Sequence, residues 1–149
     1  YFSSKITVIP NGIDSTLLPF DGHPKESRQK PTRLLFVGRL DPPKDPLALL
    51  GAFRILVQEQ GREALELTLV GDGELTEQCR QYALQHRLGK NVLFTGWVGN
   101  VVPYYRMHDI FCLSSIFESF GLCLLEAGYY GLPTVATRVE GVPEVIVDG

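Results

Sequence analysis

Two rhythms of apolar and polar residues alternate along most of this chain. Short runs rich in aliphatic and aromatic side chains occupy residues 34–37, 65–70, 92–95, 110–113 and 134–137. Runs of this length, bounded by glycine, proline or charged residues, are what strands covered on both faces show. Between them apolar positions recur at helical spacing. Residues 46–60 place Leu49, Leu50, Phe53, Leu56 and Val57 on one face, residues 74–88 carry a second helical pattern, and 101–107 a short third one. Residues 120–130 repeat Leu122, Leu125 and Tyr129, stopped by Gly131 and Pro133, and a further helix begins near Pro143. Five strand-then-helix units predict an α/β fold: an open parallel sheet with right-handed crossovers and helices on both faces.

The first part of the chain breaks the rhythm. Residues 5–9 form a β-branched run ending at Pro10, with Asn11 and Gly12 as a turn, so residues 1–14 read as strand and turn. Residues 15–32 are polar, charged and interrupted by Pro19, Gly22 and Pro24, which reads as an exposed loop. Residues 33–149 hold the βα repeats. With 149 residues and 44% hydrophobic content, the chain suffices for one core and is short for two, so residues 1–149 read as a single domain.

Charge and composition remove several classes of function. A net charge of −3 gives no reason to expect nucleic acid, and no apolar run approaches the ~18 residues of a membrane span. Cys79, Cys112 and Cys123 are odd in number, lack a CxxC spacing, and two of them fall in apolar segments, as buried reduced thiols of a cytosolic protein would. His23, His86 and His108 are dispersed, and no metal site is expected.

The chemistry gathers at one edge. In open parallel sheets ligands bind outside the carboxyl ends of the strands. There the chain places Gly38 and Arg39 after the first strand of the series and Gly71-Asp72-Gly73 after the second. Gly96-Trp97-Val98 follows the third, Glu118 the fourth, and Glu140-Gly141 the fifth. Ser119 stands where a helix N-cap would, Gly121 leaves room for an anion, and Glu126 lies about two turns into the helix. The plainer reading is that Glu118 favours the helix dipole and Glu126 is solvated. Gly71-Asp72-Gly73 is weak as a dinucleotide motif because the third glycine would fall at Thr76. There is no Gly-Lys-Ser/Thr, no Gly-x-Ser-x-Gly and no Asp-x-Asp to hold a divalent ion. Arg39 and Lys44 are then the cations available to a phosphate.

Glu118, seven residues and Glu126, with Phe120-Gly121 inside and Gly131-Leu132-Pro133 after, resemble the signature of retaining glycosyltransferases of the GT-B type, the GT4 family. Val8-Ile9-Pro10-Asn11-Gly12, Phe36-Val37-Gly38-Arg39-Leu40 with Lys44, Val70-Gly71-Asp72-Gly73, Phe94-Thr95-Gly96 and Gly141-Val142-Pro143-Glu144 follow in that family's order. The resemblance implies a Rossmann-like sheet, the C-terminal half of a GT-B fold, that binds an NDP-sugar donor (UDP- or GDP-sugar). The whole enzyme would transfer a hexosyl group to an acceptor, with no cofactor and no metal. It implies that Glu118 faces the donor sugar's hydroxyls and that Arg39 and Lys44, with the helix start, meet the diphosphate; these three are the catalytic candidates. Glu126 matches the acid that accepts from ribose hydroxyls, and the backbone of Trp97 and Val98 the segment beside the base. Gly12 and Gly38 match glycines near the diphosphate, and Ser119, Phe120, Gly121 and Leu122 line the mouth of the helix.

The chain departs from the family in extent. An N-terminal acceptor domain and the C-terminal end are absent, so the chain reads as a truncated piece, inactive by itself and completed by the missing domain. Asp45 replaces a common glycine, Ser114 a common proline, and Tyr129-Tyr130 small residues; the last two departures are expected to leave the proposed contacts untouched. The implied location is the cytoplasm, or the cytoplasmic face of a membrane, although nothing in the chain itself indicates membrane association. A GT-B-fold epimerase, a phosphorylase, or a non-catalytic nucleotide-binding module are the alternatives.

Overall fold

The structure, a computed structural model, describes residues 7, 9, 11–16, 18, 31–62 and 64–147. The strand expected over residues 5–9 falls largely outside them; Thr7 and Ile9, which are described, belong to no strand. The loop expected over 15–32 likewise lies mostly outside. The turn falls at Ser15 and Thr16 rather than at Asn11-Gly12, because the Asp14 carboxylate accepts from the Thr16 amide at 2.9 Å and from its hydroxyl at 2.6 Å.

The strands β1 (Thr32–Val37), β2 (Leu65–Val70), β3 (Val92–Gly96), β4 (Ile110–Leu113) and β5 (Thr134–Ala136) form one sheet in the order β3-β2-β1-β4-β5. Every pairing is parallel, from Thr32 beside Leu65 through Val37 beside Val70, and from Phe111 beside Thr134 through Leu113 beside Ala136. Three of the five strands lie within a residue or two of the sequence expectation, and β2 and β4 coincide with it. The helices are α1 (Pro46–Arg54), α2 (Thr76–Gln85), α3 (Val102–Met107), α4 (Leu122–Tyr129) and α5 (Val142–Val145). Because parallel crossovers are right-handed, α1 and α2, leading one way across the sheet, cover one face, while α3 and α4, leading back, cover the other. Leu35, Phe36, Leu67, Leu69 and Phe111 are fully buried between the two layers. Among the described residues no helix is long and apolar enough to cross a membrane.

Several helices differ from the sequence expectation. The helix expected over 46–60 changes to a π-helical turn, Ile55–Glu59, after α1. The helix expected over 120–130 starts later, and Ser119 is not its cap: Gly121 takes that position in the left-handed region, φ 85° and ψ 61°, with no side-chain cap. Leu122 is 47% exposed, and the buried face of α4 is Leu124 and Ala127. Leu-Cys-Leu-Leu carries two apolar stripes at helical spacing, and only the packing partners, Tyr130 and Leu132 among them, decide between them.

Among the described residues most buried polar side chains find partners, Asp41 Oδ1 and Ser115 Oγ being exceptions. His108, 5% exposed, meets the Tyr104 carbonyl through Nδ1 at 2.7 Å and the Thr68 hydroxyl through Nε2 at 2.9 Å. Since a carbonyl can only accept, Nδ1 carries a proton. This is a structural histidine. Cys79 and Cys112 are buried and Cys123 half-buried, all free. Burial pushes the first two thiols up to about 11.

The Gly-Asp-Gly segment packs loops together. A Cβ on Gly71 would stand 1.9 Å from the Gly38 carbonyl oxygen, and one on Gly73 would stand 2.4 Å from that of Leu40. This close approach lets Leu40 donate its amide to the Asp72 carbonyl at 3.0 Å and Leu75 donate to the Leu40 carbonyl at 2.8 Å. The loops after β1 and β2 are thereby held backbone to backbone. The Asp72 carboxylate is used inside its own loop, accepting from the Thr76 hydroxyl and the Gly73 amide, which hold it below the usual carboxylate range. Gly71→Ala, which adds a methyl where φ is 135° and a carbonyl is in the way, is expected to destabilise the fold by about 3 kcal/mol or more, read by chemical denaturation.

Candidate functional site

β1 and β4 are neighbours in the sheet, yet the chain leaves their carboxyl ends in opposite directions, toward β2 from one and toward β5 from the other. A crevice opens at such a switch point. Its first wall is the loop after β1: Leu40 anchors it in the core, a 3₁₀ turn, Pro42–Lys44, follows, and Asp45 starts α1. Its second wall is the loop from Ser114 to Gly121. The Ser114 hydroxyl lies 2.9 Å from the Lys44 carbonyl and 2.8 Å from that of Asp45, while the amides of Ile116 and Phe117 donate to the Pro43 carbonyl at 2.9 and 3.2 Å.

Both departures from the family pattern beside this crevice acquire a reason. Asp45 stands at φ 42° and ψ 58°, a left-handed conformation in which glycine is usual and aspartate is tolerated, and its carboxylate caps α1 by accepting from the Ala48 amide at 3.1 Å. Ser114, expected to leave the proposed contacts untouched, instead holds the backbone of Lys44. A proline could not make that bond.

The charges converge around the first turn of α4. Lys44 Nζ pairs with Glu118 Oε2 across the crevice, with 22% and 8% of the two side chains exposed. Glu118 is fixed from behind as well, since its carbonyl accepts from the Gly141 amide at 3.0 Å; a Cβ on Gly141 would lie 2.1 Å from the Ser119 carbonyl oxygen. Glu126 is half-buried and accepts at Oε2 from the Tyr105 hydroxyl at 2.7 Å. The Cys123 thiol sits among these groups. Burial raises it to about 12, and beyond burial it feels Lys44 lowering it and Glu118 and Glu126 raising it.

Other expected residues fall differently. Gly38 lies on the crevice loop, Ser119 and Leu122 are exposed at the mouth of α4, Phe120 is half-buried and Gly121 buried. The Arg39 side chain is 78% exposed and its Nε pairs with Asp41 at 3.0 Å; Asp41 Oδ1 is buried without a hydrogen-bond partner. An ion pair that open adds roughly 0–1 kcal/mol. Trp97 is 79% exposed and packs little, whereas Val98 packs against the core beyond β3. Gly12 stands in open space, with no heavy atom within 4 Å of where its Cβ would be, so the described residues do not bring it to the crevice. Among the described residues no group of three or more His, Cys, Asp or Glu could hold a metal. A separate groove of about 1150 Å³, lined by residues including Leu125, Tyr129, Thr134, Arg138 and Ile146, lies on the β5 and α5 side and contains none of Lys44, Glu118 or Glu126.

Similarity to known proteins points the same way. The chain is 32% identical over 145 residues to the UDP-Gal:alpha-D-GlcNAc-diphosphoundecaprenol alpha-1,3-galactosyltransferase of Escherichia coli, an alignment spanning 92% of this chain and 38% of that protein. It is also 32% identical over 151 residues to the glycogen synthase of Mycobacterium tuberculosis (strain ATCC 25618 / H37Rv), covering 98% of this chain and 35% of that protein. The chain therefore spans well under half the length of these relatives. Among solved structures, the pneumococcal O-GlcNAc transferase GtfA in complex with UDP and GlcNAc superposes with a TM-score of 0.74 at 22% identity, over 84% of this chain and 24% of that one, a likeness of fold. WaaG, a glycosyltransferase involved in lipopolysaccharide biosynthesis, superposes with a TM-score of 0.70 at 26% identity, over 78% of this chain and 31% of that one. Residues 21–149 match the family model described as glycosyl transferases group 1, and with this sheet and these neighbours the chain belongs to that family and carries part of its GT-B fold.

Proposed function

We propose that this chain is the donor-nucleotide-binding part of a retaining glycosyltransferase that transfers a hexosyl group from an NDP-sugar, with UDP or GDP as the nucleotide, to an acceptor. The observation that carries the reading is the Lys44 to Glu118 pair across the crevice at the switch point, with Glu126 following on α4. The E. coli relative named for UDP-Gal supports UDP as the first nucleotide to test.

Each role has a physical reason. Breaking the glycosidic C–O bond builds negative charge on the leaving diphosphate, so fixed positive groups lower the barrier. Lys44, Arg39 and the amide end of α4 would meet that charge, with no metal required. Lys44 is held by Glu118 and Arg39 by Asp41, so an arriving diphosphate competes with two carboxylates for their donors. Lys44, with three N–H donors, can serve a phosphate oxygen and Glu118 together. Glu118 would then face the sugar's hydroxyls, and Glu126 would accept from the ribose. Gly38, Ser119, Phe120, Gly121 and Leu122 would wall the pocket, with Gly12 contributing from outside the described crevice and the Trp97 and Val98 backbone beside the base.

Glu126→Ala removes an acceptor for hydroxyl donors and should lower nucleotide affinity by about tenfold or more, equivalent to about 1.5–3 kcal/mol for hydrogen bonds to a charged group. Calorimetric titration with UDP or GDP checks it; unchanged affinity would return Glu126 to a merely structural role.

Binding of the nucleoside diphosphate should survive EDTA and weaken as salt is raised. The Arg39→Ala, Lys44→Ala double variant should lose much more affinity for the diphosphate than for the nucleoside. That comparison separates lost phosphate contacts from a loop disturbed because Glu118 has lost its counter-ion. A strict need for Mg²⁺ or Mn²⁺, or equal losses for both ligands, contradicts the assignment.

A further inference from the structure

We propose that Tyr105 is a positioning residue for the nucleotide site: by donating its hydroxyl hydrogen to Glu126, it holds that carboxylate in the orientation that accepts the ribose hydroxyls. The proposal rests on the reading of Glu126 given above and extends it to a residue on a different helix that touches no ligand.

Tyr105 belongs to α3, which crosses the sheet between β3 and β4, whereas Glu126 belongs to α4. The phenol is fully buried, and its oxygen lies 2.7 Å from Glu126 Oε2. The ring that carries it has little freedom. It stacks on Tyr130 with centroids 5.7 Å apart and planes 8° from parallel, and it lies 5.9 Å from Phe111 of β4 at 41°. Tyr130 and Phe111 are themselves 3% and 0% exposed, so the hydroxyl is aimed from a rigid base.

The direction of the hydrogen bond is settled by charge. A carboxylate only accepts, so the phenol donates, and burial, then the negative charge of Glu126, hold the phenol far above its ordinary pKa with that proton in place. Oε1 and the second lone pair of Oε2 remain for other donors. A free glutamate gives up three rotatable bonds when it takes hold of a ligand. One already tied to a fixed phenol gives up fewer, and a pair of vicinal hydroxyls needs its acceptor in one plane. A tyrosine whose hydroxyl only satisfied itself would need no charged partner at the proposed ligand surface.

The test compares UDP with 2′-deoxy-UDP, or GDP with 2′-deoxy-GDP if the guanine nucleotide binds better, by calorimetry on the whole protein and its variants. Tyr105→Phe keeps the ring and its stacking and deletes one oxygen. It is expected to weaken UDP about fivefold and to erase most of the preference for ribose over deoxyribose. In turnover it should raise KM for the donor while leaving kcat within about twofold, since the ribose is remote from the bond that breaks. On the Glu126→Ala background, Tyr105→Phe should add no further loss of affinity. If Glu126→Ala loses the ribose preference while Tyr105→Phe keeps it, or if the two losses add, Tyr105 is structural only and the role of Glu126 stands. If the wild-type protein shows no ribose preference, or Glu126→Ala leaves it intact, the ribose role of Glu126 fails and the proposal for Tyr105 fails with it.

Discussion

The junction of β1 and β4 is the constraint on which the rest depends. Two parallel strands are joined edge to edge although more than seventy residues of chain separate them, and their loops must diverge above the sheet. The divergence creates the crevice; the contacts across it keep it a fixed size. Pro43 and Lys44 give their carbonyls to the second loop, Ser114 spans both, and the Lys44 to Glu118 ion pair closes the contact. Removing two charges from water costs several kcal/mol per ion before their attraction is counted. An apolar pair would serve stability as well, so placing opposite charges there is better explained by a ligand that needs both.

The electrostatics of the crevice follow from the same pairs. Two cations are set against two carboxylates, Arg39 with Asp41 and Lys44 with Glu118. Exposure then separates the two cations. Arg39 stands mostly in water, where its field is screened, while Lys44 stands where the dielectric is low and each charge acts more strongly on its neighbours. Of the two, Lys44 is the cation that an anion in the crevice would feel most.

The sheet was legible because each strand is a short apolar run bounded by turn residues, and β2 and β4 match those runs end to end. Strand order was not, since nothing local in 110–113 says that it pairs with β1. The candidate acids were legible through their spacing, and so was the edge at which they gather. The cap of α4 was misread because Ser119 has the right chemistry, whereas the chain turns by way of Gly121, whose conformation depends on how the loop leaves β4. Tyr105 and Ser114 were missed for opposite reasons. Tyr105 sits in an apolar stretch where an aromatic residue signals only core, and Ser114 looked like a neutral exchange until its hydroxyl was found against the Lys44 backbone. Gly71-Asp72-Gly73 carried the weakest signal for what it does, because close backbone packing between loops leaves no periodicity to read.

Under the proposed function, the β1/β4 crevice receives the nucleoside diphosphate of a sugar donor. A crystal structure of the whole protein soaked with UDP, and separately with GDP, tests it most directly. A diphosphate is expected between the Gly38 to Lys44 loop and the first turn of α4, with Lys44 Nζ on a phosphate oxygen and the ribose against Glu126. A nucleotide ordered elsewhere, such as the apolar groove beside Tyr129 and Ile146, or a crevice that stays empty at millimolar nucleotide with Lys44 still held by Glu118, would contradict it.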